Sequence, residues 1–382
     1  MVIIREALQD RGLLRELDQP IDVCAFLTPN WFASVMGTGI VANAAALLPL
    51  QFPGLRVFGT IVWAIASAVL IALLVGTFIH WTRYRKNALK HHLNPVMAQF
   101  YGAPPMAMMT VGLGTLLLGQ DVIGMQAALV IDWVLWLAGT ALGLFVAVAI
   151  PYLTMTRHSI SGDAAFGGWL MPLVSPMVSA TTGAALIPHV PEGQLRLTML
   201  LACYAMFGMS LIGSCIIITL LWSRLMYFGI GDSQMIPTMW IVLGPLGQSI
   251  TAANVLAGVA NLALPDPYSN AFMVMGLVYG IAAWGFTALW FTLVTAITFS
   301  KWRKGRKFAL TWWSFIFPVG TCVTGTIDLS DRAESSVLDF IATTLYFGLV
   351  IAWALVARRT VIGAWTGRLF LPPPAPAAQP AL

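Results

Sequence analysis

The sequence predicts an all-α membrane protein, with ten transmembrane helices arranged as five helical hairpins around a central pore. Its composition, the length of its apolar runs and the placement of its prolines each support this fold class. Apolar residues make up 59% of the chain and charged residues 9%, whereas charged residues are about 25% of ordinary soluble domains. A soluble protein of this length could not cover its surface with so few charges.

Apolar runs of membrane-spanning length recur along the chain. Runs such as 57–79, 123–150 and 271–299 reach the roughly 20 residues that a helix needs to cross about 30 Å of hydrocarbon. The predicted spans are 30–49, 56–80, 95–118, 124–150, 169–188, 195–224, 236–263, 271–299, 308–328 and 336–357.

These spans fall within a predicted transmembrane domain of residues 26–360. Residues 1–25 are of mixed charge, unlike a signal peptide, which has a basic start followed by an apolar core. They are predicted to be a cytoplasmic N-terminal segment. Residues 361–382 are rich in proline and alanine and are predicted to be a cytoplasmic tail.

Basic residues are distributed unevenly between the two sides of the predicted bundle. Of the 20 Lys and Arg residues, 17 lie at the termini or after even-numbered spans, and the other three are Arg56, Arg196 and Arg332. The side of a membrane protein that is rich in basic residues is normally cytoplasmic. We therefore expect a multi-pass protein of the cell (inner) membrane with both termini in the cytoplasm. The net charge of +5 reflects this topology and does not suggest a nucleic-acid partner.

Prolines occur in or at the entrance of every odd-numbered span, while the even-numbered interiors have none and Pro151 follows the fourth span. Proline removes a backbone hydrogen bond, and a break of this kind is tolerated in a membrane where the backbone packs on protein or lines a wet cavity. We expect the odd helices to be kinked and to surround a path, and the even helices to face lipid. Close packing of small residues is the alternative explanation. The prolines of the odd spans are Pro29, Pro95, Pro104, Pro105, Pro172, Pro176, Pro237, Pro245 and Pro318.

The residue pattern favours a transporter or channel over an enzyme, and it predicts no cofactor. The chain has no constellation typical of acyl transfer, phosphate binding or metal-dependent hydrolysis. Its four cysteines are interpreted as buried apolar residues, with neither a metal site nor a disulfide. Asp132 and Asp339 fall just inside their spans, where a carboxylate suggests a function, although an error in the span boundaries would place both at the interface.

The odd spans contain groups that suit a weakly bound anion. Broken helices expose N–H groups and positive dipole ends, and hydroxyls add hydrogen-bond donors. No Lys or Arg lies within these spans, so an anion would bind weakly and leave, as conduction requires. For each hydroxyl, helix packing is the alternative role. The predicted path residues are Gly37, Thr38, Gly39, Pro104, Pro176, Ser179, Thr181, Thr182, Pro245, Gln248, Ser249, Ser314 and Pro318.

Four stretches of the sequence resemble the tellurite-resistance/dicarboxylate transporter family. They are Thr28–Ile40 (TPNWFASVMGTGI), Asn94–Pro105 with its FYGAPP ending, Gly244–Ser249 (GPLGQS) and Trp312–Pro318 (WWSFIFP). The resemblance covers roughly residues 26–357. The family includes malate carriers, sulfite efflux pumps, tellurite-resistance proteins and slow-type anion channels.

The resemblance implies ten helices in five hairpins around a central pore, and a homotrimer in the lipid bilayer. It also implies a phenylalanine that occludes the pore from the ninth helix, at Phe317 or, as second choice, Phe315. The implied substrates are small inorganic or dicarboxylate anions, either malate or another C4-dicarboxylate, or sulfite. A passive gated channel for chloride or nitrate, a tellurite-resistance protein and a membrane scaffold without transport remain as alternatives.

Overall fold

The computed structural model describes residues 12–231, 235–301 and 308–371. These residues form helices joined by short connections, with no β-strand among them. The predicted all-α class is confirmed. The first 11 residues and the last 11, which are half of the predicted C-terminal tail, lie outside the described residues.

Ten helices of at least 12 residues follow one another in this part of the chain. A shorter helix, Arg85–Leu93, lies between the second and third of them. In chain order the ten are α1 (Phe32–Leu47), α2 (Leu55–Arg83), α3 (Ala103–Gly114), α4 (Met125–Thr156), α5 (Leu170–Leu186), α6 (Gln194–Phe228), α7 (Leu243–Val259), α8 (Tyr268–Ser300), α9 (Ile316–Ala333) and α10 (Ser336–Trp365).

Within the described residues, eight helical stretches are long and apolar enough to cross a membrane, and the protein is a multi-pass membrane protein. The eight stretches are Leu55–Arg83, Met97–Ile123, Met125–Thr156, Gly167–His189, Gln194–Phe228, Ile236–Leu262, Tyr268–Ser300 and Ser336–Trp365. Each corresponds to one of the ten predicted spans.

Helices α1 and α9 occupy the two remaining predicted spans but are not among these eight stretches. Helix α1 has only 16 residues and contains the polar side chains of Thr38 and Asn43. Helix α9 carries Asp328, Asp331 and Arg332 near its C-terminal end. Length and composition therefore support eight spans directly, and the count of ten remains a proposal.

The helices divide into an inner and an outer set by burial. The most apolar parts of Gly167–His189 and Ile236–Leu262 are 89% and 83% buried, whereas those of Tyr268–Ser300 and Ser336–Trp365 are only 17% and 22% buried. We call α1, α3, α5, α7 and α9 the inner helices, and α2, α4, α6, α8 and α10 the outer helices. The outer helices expose large apolar side chains, such as Phe78, Phe145 and Phe340, as lipid-facing helices do.

Contacts between helices follow the same division. Each inner helix packs against the next inner helix in the chain, and α9 packs against α1. Each inner helix also packs against the outer helix that follows it. The inner helices therefore contact one another in a closed order, and each has an outer partner.

The prolines lie differently in the helices from what the sequence predicted. Each inner helix is preceded by a short 3-10 stretch, and most of the prolines lie in this stretch or in the first turn of the α-helix. Proline is tolerated there because the N–H groups of a first turn have no partner within the helix. Pro176 of α5 is the inner-helix proline inside a helix, while Pro151 lies inside outer helix α4, which continues to Thr156. The expectation that Pro151 follows its helix was therefore wrong.

Glycines allow the inner helices to approach one another closely. A Cβ atom on Gly247 of α7 would lie 2.5 Å from the backbone carbonyl carbon of Thr321 on α9. A Cβ atom on Gly320 of α9 would lie 2.5 Å from the Ile40 side chain on α1. Neither separation leaves room for a side chain, so α9 is held tightly between its two inner neighbours.

Candidate functional site

One small cavity is lined by residues from the inner helices and the 3-10 stretches that precede them. Its volume is about 20 Å³, which is room for about one water molecule. Its wall is mostly apolar. The lining residues are Ala33, Met36, Phe100, Met106, Met171, Val174, Ile241, Gly244, Pro245, Trp313, Ser314, Phe317 and Pro318.

The cavity lies where the inner α-helices begin. Its lining residues fall within or next to the five 3-10 stretches Pro29–Trp31, Met97–Gly102, Gly167–Trp169, Trp240–Val242 and Leu310–Ser314. The N-terminus of a helix carries a partial positive charge of about half an elementary charge. Five such termini near one cavity produce a potential that favours an anion without any fixed cation in the wall.

Phe317 and Phe315 occupy different environments, although only one residue separates them. Phe317 lines the central cavity and is 3% exposed. Phe315 instead lies beside Trp240 and Trp312, with ring centroids 5.1 Å and 6.1 Å from its own. It lines a separate groove against α10. Of the two phenylalanines predicted from the sequence, Phe317 is the one next to the cavity.

Beyond the cavity, hydroxyl groups lie on the faces of the inner helices that continue from its wall. Thr181 is seven residues after Val174, and Thr324 is seven residues after Phe317, so each lies about two turns further along the same helical face. The hydroxyl oxygens of Thr324 and Thr251 are 3.1 Å apart, which links α9 to α7. Gln248 is buried, and its Oε1 atom has no hydrogen-bonding partner.

Other predicted path residues lie away from the cavity. Thr38 accepts a hydrogen bond from Trp353 Nε1 at 3.1 Å, so its hydroxyl is directed towards outer helix α10. Ser249 accepts one from the Tyr279 hydroxyl of α8 at 2.8 Å. Ser179 donates to Met109 Sδ at 3.1 Å, between α5 and α3.

The remaining predicted path residues have packing surroundings. Gly37 and Gly39 approach the side chains of Trp313 and Thr110, and a Cβ atom on either glycine would lie 2.7 Å away. Thr182 is buried and donates to the Val178 carbonyl. Pro176 is buried within α5, and Pro104 is half-buried in the first turn of α3. Pro245, Ser314, Phe317 and Pro318 are the predicted site residues that line the cavity itself.

A polar groove of about 380 Å³ lies at the end of the molecule where the 3-10 stretches are found. Lys90, His91 and Arg368 contribute to its wall. Burial, followed by the nearby His80 and His92, lowers the pKa of His91 to about 4. His91 is therefore neutral at pH 7, and the positive charge of the groove comes from Lys90 and Arg368.

Four carboxylates lie within the ten helices, and sequence reasoning singled out only two of them. Asp339 accepts a hydrogen bond from the Ser330 hydroxyl at 2.7 Å. Asp132 is fully buried between α4 and α3, close to Gly112, and neither carboxylate oxygen has a partner. The two that the sequence analysis missed are Asp328 and Asp331 of α9. For Asp328, the available signal was its position 11 residues after Phe317, which is close to three helical turns.

The fold and the apolar outer surface define a multi-pass membrane protein whose inner helices surround a small cavity. The chain belongs to the voltage-dependent anion channel family (SLAC1), whose sequence profile matches residues 26–361. The resemblance to transporters and anion channels inferred from the four sequence motifs is thereby confirmed.

Several similar proteins have names that indicate transport. A sulfite efflux pump of Arthroderma otae is 28% identical over 354 residues, which cover 90% of this chain and 92% of the relative. An uncharacterized transporter of Methanocaldococcus jannaschii is 27% identical, covering 94% and 99%. The malic acid transport protein of Schizosaccharomyces pombe is 24% identical, covering 86% and 76%.

Proposed function

We propose that the protein carries small anions across the cell membrane, through a path along the axis of the five inner helices. Its substrate is sulfite or a C4-dicarboxylate such as malate. In this proposal the inner and outer helices form five hairpins and all ten cross the membrane, with α1 and α9 shielded from lipid by their neighbours.

The observation that carries the proposal is the cavity lined by residues of all five inner helices and of three of the 3-10 stretches that precede them. Its wall contains no charged side chain, and five helix N-termini lie close to it. This arrangement favours a negative ion over a positive one while binding it weakly. The names of the fungal relatives, sulfite efflux pump and malic acid transport protein, indicate the two substrate classes.

Phe317 is proposed as the gate of this path. Its ring forms part of the wall of the cavity, in which about one water molecule fits. A change of side-chain rotamer would open or close such a constriction, because the staggered wells differ little in energy. An apolar ring at this position also excludes hydrated ions by dewetting.

The orientation and assembly belong to the same proposal. With both termini in the cytoplasm, Lys90 and Arg368 attract anions to the cytoplasmic end of the path. The family resemblance suggests a homotrimer in which each chain has its own path. Light scattering of the purified protein, corrected for bound detergent, would give the number of chains directly.

Flux measurements in proteoliposomes test the proposed function. Malate, sulfite, tellurite, chloride, nitrate and potassium would each be offered, with and without a pH gradient. We expect sulfite or malate to move fastest, with saturation at high concentration. If potassium moved faster than every anion, or if no anion moved faster than through protein-free liposomes, the proposal would be wrong.

A passive chloride or nitrate channel is the second candidate, because the family to which the chain belongs is described as voltage-dependent anion channels. Single-channel recording in planar bilayers separates the two. Large unitary currents carried by chloride or nitrate, without saturation or coupling to a pH gradient, would favour the channel.

A further inference from the structure

We propose that Asp328 binds a proton on the anion path, so that anions pass its level when the carboxyl group is protonated and are repelled when it is ionised. This inference rests on the proposed function, because it places Asp328 on the same axis as the cavity. It goes further by assigning the origin of a pH dependence to one side chain.

The position of Asp328 on α9 is fixed by the packing of its neighbours. Eleven residues separate it from Phe317, which at about 3.6 residues per turn brings both to the same helical face, about 16 Å apart along the axis. On one side of this face, Gly320 packs against Ile40 of α1. On the other side, Gly325 packs against Gly247 and Ile250 of α7. The stripe between these contacts is directed towards the axis of the inner helices.

The surroundings of Asp328 compensate its charge only in part, through the nearby positive charge of Arg332. The residue is half-buried, and its Oδ2 atom is buried without a hydrogen-bonding partner in the described structure. The Thr251 hydroxyl of α7 lies near the carboxylate. Arg332, one turn further along α9, donates to the backbone carbonyl of Asn254 at 2.9 Å.

Few other titratable groups are close enough to substitute for Asp328. Helices α1, α3, α5 and α7 contain no Asp, Glu, His, Cys, Tyr, Lys or Arg residue, and on α9 the others are Cys322, Asp331 and Arg332. Asp331 adds negative charge near Asp328 and is itself near Asp339 of α10. From the outer helices, Tyr204 of α6 lies near Arg332. Asp328 is therefore the carboxylate on the stripe that continues from Phe317.

An ionised carboxylate in a path of low dielectric constant repels an anion strongly, because the Coulomb energy increases as the dielectric constant falls. Protonation removes this repulsion and leaves the hydroxyls of Thr251 and Thr324 to hydrogen-bond the passing ion. Binding of a proton to Asp328 and binding of an anion at its level are then linked, and this linkage acts in both directions. A carrier of this kind moves anions more readily in acid.

The test compares Asp328→Asn, Asp328→Glu and the matched control Asp132→Asn in proteoliposomes. Asp132 is also a buried carboxylate without a partner, but it lies between an outer and an inner helix. Malate, sulfite and nitrate uptake would be measured over a series of pH values with equal pH on both sides. The readout is the ratio of variant flux to wild-type flux at each pH, so that titration of the anion itself cancels.

We expect the ratio for Asp328→Asn to be near one in acid and to increase with pH, by up to about tenfold per pH unit as expected for one proton. Asp328→Glu keeps a carboxyl group, so its anion flux should still depend on pH as the wild-type flux does. The flux of Asp132→Asn should equal that of the wild type at every pH. A ratio for Asp328→Asn that stays constant with pH would overturn the inference. So would an equal change in Asp132→Asn.

Infrared difference spectroscopy provides a readout that does not depend on transport. A carboxyl C=O band that titrates in the wild type should be absent from Asp328→Asn and present in Asp132→Asn, and its persistence in Asp328→Asn would overturn the inference. Thermal unfolding and gel filtration of each variant would establish that it is folded. A wild type that moves none of the three anions at any pH counts against the proposed function, whereas a wild type that moves them without pH dependence counts against this inference alone.

Discussion

Phe317 and Phe315 show how strongly the role of a residue depends on the direction of its side chain. Both are aromatic residues close to Pro318 at the start of α9. Phe317 faces the central cavity, whereas Phe315 packs between Trp240 and Trp312. The pair therefore offers the same substitution at two sites with opposite expectations.

We predict that Phe317→Ala increases anion flux and leaves thermal stability close to that of the wild type. A ring next to a void has fewer packing partners to lose than a core ring, for which Phe→Ala costs about 3–5 kcal/mol. Flux and thermal unfolding would be measured on the same purified variant.

Phe315→Ala is the matched control, and it should reduce stability without increasing flux. Increased flux in Phe315→Ala alone would transfer the gate to that residue. Unchanged flux together with a large loss of stability in Phe317→Ala would identify Phe317 as a packing residue.

At the scale of the helix, the inner elements share one construction: a 3-10 stretch, then an α-helix, with proline near the junction and glycine where two helices touch. Proline is tolerated in the first turn of an α-helix, and two helix backbones can approach closely only where a glycine lacks the Cβ atom. The common arrangement of the inner helices meets both conditions. It also brings the five helix N-termini close to the cavity.

We predict that Gly247→Ala destabilises the protein, because the added methyl group would meet the backbone of Thr321 at 2.5 Å. Overpacking of this kind costs about 1–3 kcal/mol, and a backbone neighbour yields less than a side chain does. The unfolding temperature in detergent would be the measurement.

Gly285→Ala on outer helix α8 is the control for helix propensity. Nothing lies within 4 Å of a Cβ atom at that position, and replacing a mid-helix glycine with alanine is worth about 0.5–1 kcal/mol in favour of the helix. Its unfolding temperature should be unchanged or slightly higher. An equal decrease in both variants would show that the α7–α9 contact is not the cause.

At the scale of the whole molecule, the proposed orientation in the membrane rests on the distribution of charge. Of the 20 basic residues, 17 lie at the termini or after even-numbered spans. Moving this side across the membrane would require many cations to cross hydrocarbon, and we therefore predict that it lies in the cytoplasm.

We predict that reporter fusions after Ala263 and after Lys301 report opposite sides of the membrane, with Lys301 in the cytoplasm. A single helix, α8, separates the two positions. Each position would be fused to two reporters, one that is active only outside the cell and one that is active only in the cytoplasm. The reporter that is active then gives the side of the membrane directly. Finding both fusions on one side would contradict the topology and the arrangement of five hairpins.

The sequence predicted the helical class and the approximate bounds of the long helices well, because apolar length is a local property of the chain. It was less successful with ends that depend on neighbours. Helix α4 continues through Pro151 to Thr156, and α10 continues to Trp365, past its predicted end. The prolines of the inner helices mark where α-helices begin, mostly in first turns, where their missing N–H group has little cost.

The candidate site was only partly predictable for a different reason. Motifs placed Pro245, Ser314, Phe317 and Pro318 in the site, and all four line the cavity. Thr38 and Ser249 were selected by the same reasoning, yet both hydrogen-bond to outer helices. Residue type gives the hydrogen-bonding capacity of a hydroxyl but not the direction in which the helix presents it.

The amino-acid sequence by itself determined that this is a helical membrane protein with apolar spans, an alternation of two helix types and one strongly basic side, because these properties depend on composition and order along the chain. Only the tertiary structure decided which faces of the inner helices meet, that Phe317 and not Phe315 borders the cavity, and that Asp328 lies on the same stripe. The rotation of each helix about its own axis is set by contacts such as those of Gly247 and Gly320, and these join residues far apart in the sequence.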